Sequence, residues 1–453
     1  MKHQLKIGWS EVSLTPEGRR LRLVGQFYGR VSQYVETPIT ATALAIEAGD
    51  EQAIIISADQ THVYADITRG VRELIAERIP DFDASKLIIG ATHSHTAFDY
   101  EAPSEGGLNV LFEYLGMTEE HVEGKGSVKT DNIMEPPEAA VFFKERLAEA
   151  AVEAWKNRAP GGYSAGFGRA AVGMCRRVCY TDGTAKMWGD VSRPDFFALE
   201  GGNDNGVEML FIYDGEDRLT GAVLNVACPA QVVEQRYFVS SDYWGKVKVL
   251  LRRRFGEDFK VLALCSPAGD QCPRDLVRWV EPETPVEDPN IIRKNPPERD
   301  ADPSMFDIRG TWTIGRRIAT EVIAVYEEEK RTPIREAEFF HHAELMPLPL
   351  RRVTEEENAA ARQALADFAA THEGTVLDYH DSAAMHVHAG IAARYDYQKK
   401  VSVVPSEVHV IRLGKIAIAS DPFELFLDFA NIIRAHSPAR QTVLIQRACD
   451  ALG

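Results

Sequence analysis

A mixed α/β fold, one large domain with mixed β-sheets and flanking helices, is predicted by three observations. Short apolar runs of strand length alternate with helical periodicities from end to end. Around residues 40–90 a hairpin, a helix and a third strand follow in close succession, the signature of an α/β crossover. Polar residues capable of chemistry come directly after the apolar strands, where α/β proteins place their ligands. No internal repeat is apparent and no composition shift marks a boundary, so a single domain over residues 1–453 is expected.

In order along the chain, Thr40–Ile46 and Ala53–Ser57 read as two strands turning at Gly49-Asp50. A helix is predicted from Tyr64 to Arg78, with Val71, Leu74 and Ile75 on one face and Pro80 stopping it. The strand Lys86–Gly90 then runs into Ala91-Thr92-His93-Ser94-His95. Residues 98–135, rich in Gly and Glu, read as a long loop or lid. A helix over Glu138–Arg158, several strands across 162–226 with a turn at Asp214-Gly215, a helix over 242–254 and the strand Lys260–Leu264 follow. The prolines of 280–303 mark a surface excursion. Helices over 307–329 and 354–370, alternating segments near 336–350 and a closing strand, helix and strand (Glu407–Ser420, Pro422–His436, Gln441–Arg447) complete the chain.

Composition narrows the function. The 453 residues carry a formal charge of -17, which repels nucleic acid and anionic membrane surfaces, and no basic patch reverses it. No apolar stretch approaches the length of a membrane span, and the first residues lack the apolar core of a secretory signal. The six cysteines are too few and too scattered for a disulfide scaffold, so a reducing cytoplasm is the expected location. A small-molecule substrate is expected, without nucleic acid or a membrane span; oligomeric state leaves no mark in the sequence.

Four constellations carry chemistry. His93-Ser94-His95 follows a buried strand, and in extended chain two residues apart project to one side, so the imidazoles converge as zinc-binding pairs do; two polar loop histidines are the plainer alternative. Pro267-Ala268-Gly269-Asp270-Gln271-Cys272-Pro273 is a small-residue turn in which Gly269 allows a sharp bend or close approach, and Cys272 is either a nucleophile or a structural thiol. Cys228, at the end of another strand, is a soft metal ligand or a small hydrophobe, and Ser241 or Asp242 caps the helix that follows. Asp421-Pro422-Phe423-Glu424 suits a helix start, with Asp421 as cap and Glu424 closing a capping box, as well as it suits a carboxylate metal ligand. The chain has no Gly-x-Ser-x-Gly, His-Glu-x-x-His, phosphate-cradling loop or Cys-x-x-Cys. His386-Val387-His388 is a second alternating pair, read as structural or at the rim of the site.

In order and wording these segments resemble the neutral/alkaline ceramidase family, in its catalytic domain. Ile7-Gly8-Trp9 to Leu14-Thr15-Pro16 is similar to the family's opening strand, Ser57-Ala58-Asp59 to its Ser-Ala-Asp, and Ala91-Thr92-His93-Ser94-His95 to its Ala-Thr-His-Thr-His. Met174-Cys175-Arg176-Arg177 resembles an Ile-Asn-Arg segment, Pro267–Pro273 an Asn-Ala-Gly-Asp-x-Ser-Pro and Pro422-Phe423-Glu424 a Pro-Gly-Glu. The resemblance implies a ceramidase catalytic-domain-like fold and a zinc ion, with His93 and Glu424 as metal ligands and His95 and Arg176 as site residues. It also exposes departures. Cys228 stands where the family has a second ligand His, and Cys272 where it has the site Ser. The family's ligand Tyr would follow Gln446-Arg447-Ala448-Cys449, and its carboxy-terminal β-domain is expected to be absent. Cys228 is competent as a thiolate ligand, Cys272 keeps a nucleophile, and Asp242 or a partner-chain group could replace the Tyr.

The function expected on this basis is metal-dependent hydrolysis of an amide or ester bond in a soluble, non-lipid acylated molecule. The metal is held by His93, Cys228 and Glu424. His95, Arg176 and Cys272 act on the substrate, and Asp270 and Asp242 bind it. The alternatives are a non-hydrolytic ligand-binding or regulatory descendant and a metal-assisted sugar isomerase or lyase.

Overall fold

The structure, a computed structural model, describes residues 1–100, 115, 132–278, 307–328, 332–372, 375, 377 and 379–452. The expected lid over 98–135 and the proline-rich excursion over 280–303 fall almost wholly outside these residues.

Three sheets organise the described chain, and each is built from the same unit: an antiparallel hairpin, a helix, and a third strand parallel to the second. In the first, Thr40–Ala48 and Glu51–Ala58 form the hairpin, Ala65–Arg78 is the helix, and Leu87–Ala91 returns beside Glu51–Ala58. In the second, the pieces are Gly206–Tyr213, Leu219–Val226, helix Asp242–Phe255 and Lys260–Cys265. In the third, they are Val403–Leu413, Ile416–Ser420, helix Leu427–His436 and Gln441–Ile445. Each hairpin turns through a residue in the left-handed region: Gly49 at φ 63°, Asp217 at 63° and Gly414 at 60°. The sequence shows no such repeat because the three units share topology and turn geometry rather than residue identities.

Outer strands complete the sheets. Lys6–Ser13 flanks Thr40–Ala48, Gly162–Arg169 flanks Gly206–Tyr213, and Phe339–Pro349 flanks Val403–Leu413. The inner faces meet in one apolar cluster that takes Ile55 and Ile88 from the first sheet, Leu262 and Leu264 from the second, and Ile418 and Ile445 from the third. Polar side chains stitch the sheets where strands face one another: Ser57 Oγ donates to the Ala263 carbonyl, and Asn225 Nδ2 to Leu444 O at 2.8 Å. Helices seal the outside. Helix Pro136–Lys156 starts on two prolines, whose missing N–H groups cost nothing in a first turn, and buries Ala139, Phe143, Leu147, Ala151 and Ala154 along one stripe. Its alanines allow close approach to the first sheet, where a Cβ on Gly8 would lie 2.1 Å from Ala154 O.

Most expected elements are present with shifted ends. Three readings are corrected. The last helix begins at Leu427, not Pro422, with Phe426 at its cap position, so Asp421 and Pro422 are not its start. Asp421 Oδ1 instead accepts the Phe423 N–H at 3.0 Å in a local turn, which releases Glu424 from any capping box. His386-Val387-His388 belongs to helix Tyr379–Tyr397, where residues two apart diverge. The His386 ring packs against Phe27 at 5.8 Å between centroids, two residues from Gly25.

Candidate active site

Because the three units share one topology, the carboxyl ends of their parallel strands lie together, and segments far apart in sequence emerge into the same region. Ala58 leads to Gln60 and Thr61, Ala91 to His93 and His95, Val226 to Cys228 and Gln231, Cys265 to Gly269, Ser420 to Glu424, and Ile445 to Arg447. Backbone bonds fasten these exits to one another: Thr92 N–H to Ala58 O at 2.9 Å, Ser266 N–H to Val226 O at 2.9 Å, and Gln446 N–H to Cys265 O at 3.1 Å.

The two histidines do converge, by a different route from the one expected. His93 lies beyond the strand end at φ 62°, yet its ring meets that of His95 edge to face at 4.8 Å. Each tautomer is fixed, because a carbonyl can only accept. His93 Nδ1–H donates to Thr61 O at 2.8 Å, and His95 Nδ1–H to Gly25 O at 2.7 Å. Both Nε2 atoms therefore present lone pairs, His93 toward Glu424 Oε1 at 3.5 Å and His95 toward the Gln231 amide at 2.8 Å. Burial pushes both imidazoles well below the ordinary histidine pKa, helped at His93 by the Arg447 charge and at His95 by His93 and Arg30.

Two guanidiniums face the same carboxylate. Arg447 Nη1 donates to Glu424 Oε2 at 2.8 Å, and Arg176 Nη2 lies 3.6 Å from Glu424 Oε1 while also donating to Gly269 O at 2.8 Å. Gly269 is required because a Cβ there would sit 2.3 Å from the Glu424 carbonyl oxygen. The close approach allowed by this glycine is to the segment carrying Glu424. Behind His93, buried Asp59 accepts from Thr40 N–H at 2.9 Å and from Lys248 Nζ at 3.2 Å, with Thr92 Oγ1 at 3.4 Å.

The other candidates are placed as follows. The Cys228 thiol points to the carbonyls of Pro229 and Val172 at 3.4 and 3.7 Å, and burial raises its pKa well above the ordinary value. Cys272 Sγ donates to Arg274 O at 3.2 Å, and burial pushes this thiol up to about 12 against the pull of Arg176 and Arg274. Asp270 Oδ1 accepts the Leu427 N–H at 2.8 Å, capping the last helix from a distant segment. Asp242, at φ 52° and fully buried, accepts the N–H groups of Val233 and Tyr243 at 3.0 and 2.7 Å, and burial raises its carboxyl to about 7.

Does this donor set suit the zinc ion implied by the family resemblance? Two ligands on a tetrahedral zinc lie about 3.4 Å apart. His93 Nε2 and Glu424 Oε1, at 3.5 Å, fit as a two-residue clasp of the right chemistry. Cys228 does not join them: among the described residues, the grouping of three His, Cys, Asp or Glu side chains with ligand atoms within 4.8 Å of one another is Glu407, His409 and Cys449. Sequence reasoning missed Arg447, Gln231 and Gly25. The first two are single polar residues after strands, and Gly25 acts through its carbonyl, so none belongs to a recognisable motif.

Comparison with solved structures gives the fold an independent footing. The chain superposes on neutral ceramidase from Pseudomonas aeruginosa with a TM-score of 0.65 at 14% identity, covering 99% of this chain and 68% of that one. A second structure, described as ceramidase complexed with C2, gives a TM-score of 0.64 at 13% identity over 99% of this chain and 69% of the other. No family model matches the sequence, and no curated protein does. The fold is ceramidase-like.

Proposed function

We propose that this chain hydrolyses an amide or ester bond in a soluble, non-lipid acylated small molecule, as a cytoplasmic relative of the ceramidases. The observation that carries this reading is the His93–Glu424 clasp at 3.5 Å, set beside two guanidiniums where the parallel strands end. In this reading His93 Nε2 and Glu424 Oε1 would hold a divalent ion, which when bound polarises the scissile carbonyl or acidifies a water.

The remaining roles belong to the chain itself. Arg176, fixed by Gly269 O, offers its free edge to negative charge developing on the carbonyl oxygen or to a carboxylate of the substrate. His95 Nε2, the lone-pair side of a ring pinned at Gly25, accepts a donor or a proton from the substrate in place of the Gln231 amide. Cys272 keeps its proton and holds the Arg274 segment, so it positions rather than attacks. Asp270 and Asp242 act indirectly, by fixing the backbone that carries Glu424 and the loop that carries Gln231.

A screen of N-acyl amino acids, N-acyl amino sugars and short esters, with and without added zinc, tests this. Turnover by the wild-type chain that falls about 100-fold or more in Glu424→Gln at an unchanged unfolding midpoint is expected. No turnover of any acylated compound with zinc present, or equal turnover by Glu424→Gln, would overturn it. One observation favours the second reading, a ligand-binding descendant: the Arg447–Glu424 bond already places a fixed cation against the carboxylate. That reading expects an anionic ligand to raise the unfolding temperature without being consumed.

A further inference from the structure

We propose that Glu407, His409 and Cys449 form a second metal site, separate from the His93–Glu424 clasp, that binds a zinc-class divalent ion and fastens the carboxy-terminal tail. Glu407 and His409 stand two residues apart on strand Val403–Leu413 and so project to one face. Cys449 comes from the tail beyond Gln441–Ile445, at φ 62°, with its N–H on Ile89 O at 2.9 Å and its carbonyl accepting from Thr68 Oγ1 at 2.9 Å. The three ligand atoms lie within 4.8 Å of one another, two of the residues being buried.

The surroundings orient His409 as the outer partners of metal-bound histidines do. His341 Nδ1–H donates to Gln52 O at 3.0 Å, which leaves His341 Nε2 to accept from His409 Nδ1–H at 2.9 Å. His409 Nε2 is then the free donor atom, 2.6 Å from Glu407 Oε1 and 3.9 Å from Cys449 Sγ. That is hydrogen-bonding distance for a ring nitrogen and a carboxylate oxygen, and a metal cation can take the place of the hydrogen between them. Arg72 borders the cluster and holds Glu407, with Nη1 on Oε2 at 2.9 Å and Nη2 on Oε1 at 2.5 Å, the latter also 3.9 Å from the thiol.

The exchange balances. One divalent cation enters, the hydrogen between His409 and Glu407 and the thiol proton leave, and the net charge of Arg72, Glu407, His409, Cys449 and the ion together is the same before and after. Zinc bonds of about 2.0–2.3 Å need the His409–Glu407 distance to open to about 3.4 Å and the His409–Cys449 distance to close to about 3.6 Å. The mixture of thiolate, imidazole and carboxylate suits zinc and its neighbours over calcium or magnesium. Occupancy ties the tail, already bonded to strand Leu87–Ala91 and helix Ala65–Arg78, to strand Val403–Leu413 as well, two residues from the Arg447 that meets Glu424.

Cobalt, which replaces zinc and gives a near-ultraviolet charge-transfer absorption when bound to thiolate, provides the test on the full chain. The wild-type protein is expected to show this absorption at one equivalent of cobalt per thiolate site. It should survive in His93→Ala, Glu424→Gln and Cys228→Ser and vanish in Cys449→Ser. His341→Leu keeps all three ligands and removes the acceptor that orients His409, so it should weaken cobalt binding about 10- to 100-fold; it also decides the matter if Cys449→Ser fails to fold. No absorption in the wild type, absorption that persists in Cys449→Ser, or unchanged affinity in His341→Leu would overturn the proposal. Loss in Cys228→Ser with retention in Cys449→Ser would move the thiolate to the other site and overturn it equally.

Discussion

Alkylation of Cys272 separates a positioning thiol from a nucleophile. The side chain is 0% exposed, and burial raises its pKa to about 12 despite the nearby charges of Arg176 and Arg274. At pH 8 a thiol of that pKa is about one part in ten thousand thiolate, whereas a free cysteine near pKa 8.5 is about one quarter thiolate. The difference is about 2,000-fold in reactive species before any steric protection is counted. Iodoacetamide pulses on folded and urea-unfolded protein, read by peptide mass spectrometry, measure the ratio directly. Cys272 should label at least about 1,000-fold more slowly in the folded chain, and its rate should rise about tenfold per pH unit. Labelling of the folded protein within tenfold of the unfolded rate at pH 8 would refute the argument and return Cys272 to the role of attacking group.

Three further outcomes follow from the same geometry. Gly25→Ala should abolish turnover or ligand binding and also lower the unfolding midpoint, since Gly25 sits at φ 99° and an added Cβ would lie 2.6 Å from the His95 ring; wild-type activity in this variant would show that His95 need not be pinned there. Lys248→Met should destabilise by about 3–5 kcal/mol in urea unfolding, because it leaves the 1%-exposed Asp59 carboxylate without its cation; a loss below about 1 kcal/mol would contradict this. Asp421 is raised by burial to about 7 from an unfolded value near 4, so the folded state holds the extra proton. Its contribution to stability is complete below about pH 4 and is lost as pH rises toward 7. Asp421→Asn, which keeps an oxygen for the Phe423 N–H, should flatten that fall in urea midpoints measured from pH 4 to 8, and an unchanged slope would place the titration elsewhere.

Local order was legible wherever a single segment contains its own cause. The apolar run Ala53–Ser57, the Gly49-Asp50 turn and the periodic stripe of Ala65–Arg78 depend on neighbours in the chain, and all are present close to their expected bounds. The threefold use of one hairpin–helix–strand unit was not legible, because topology leaves no repeated residues behind. Asp421 and Glu424 show how a local rule misleads. Their spacing matches a helix cap and capping box, but the distant Asp270 caps that helix at Leu427, and Glu424 is left to face His93.

The sequence by itself determined which residue types were available at the ends of buried strands: His93, His95, Cys228, Cys272 and Glu424, each next to an apolar run that had to be covered. Only the tertiary structure decided which of them meet. Whether imidazole reaches carboxylate depends on how three sheets are turned against one another, and side-chain direction past a strand end is set by left-handed residues such as His93 and by carbonyls on other segments, Thr61 for His93 and Gly25 for His95. The same physics took Cys228 into the core, gave Arg447 to Glu424, and gathered Glu407, His409 and Cys449 where no spacing in the chain suggests a site.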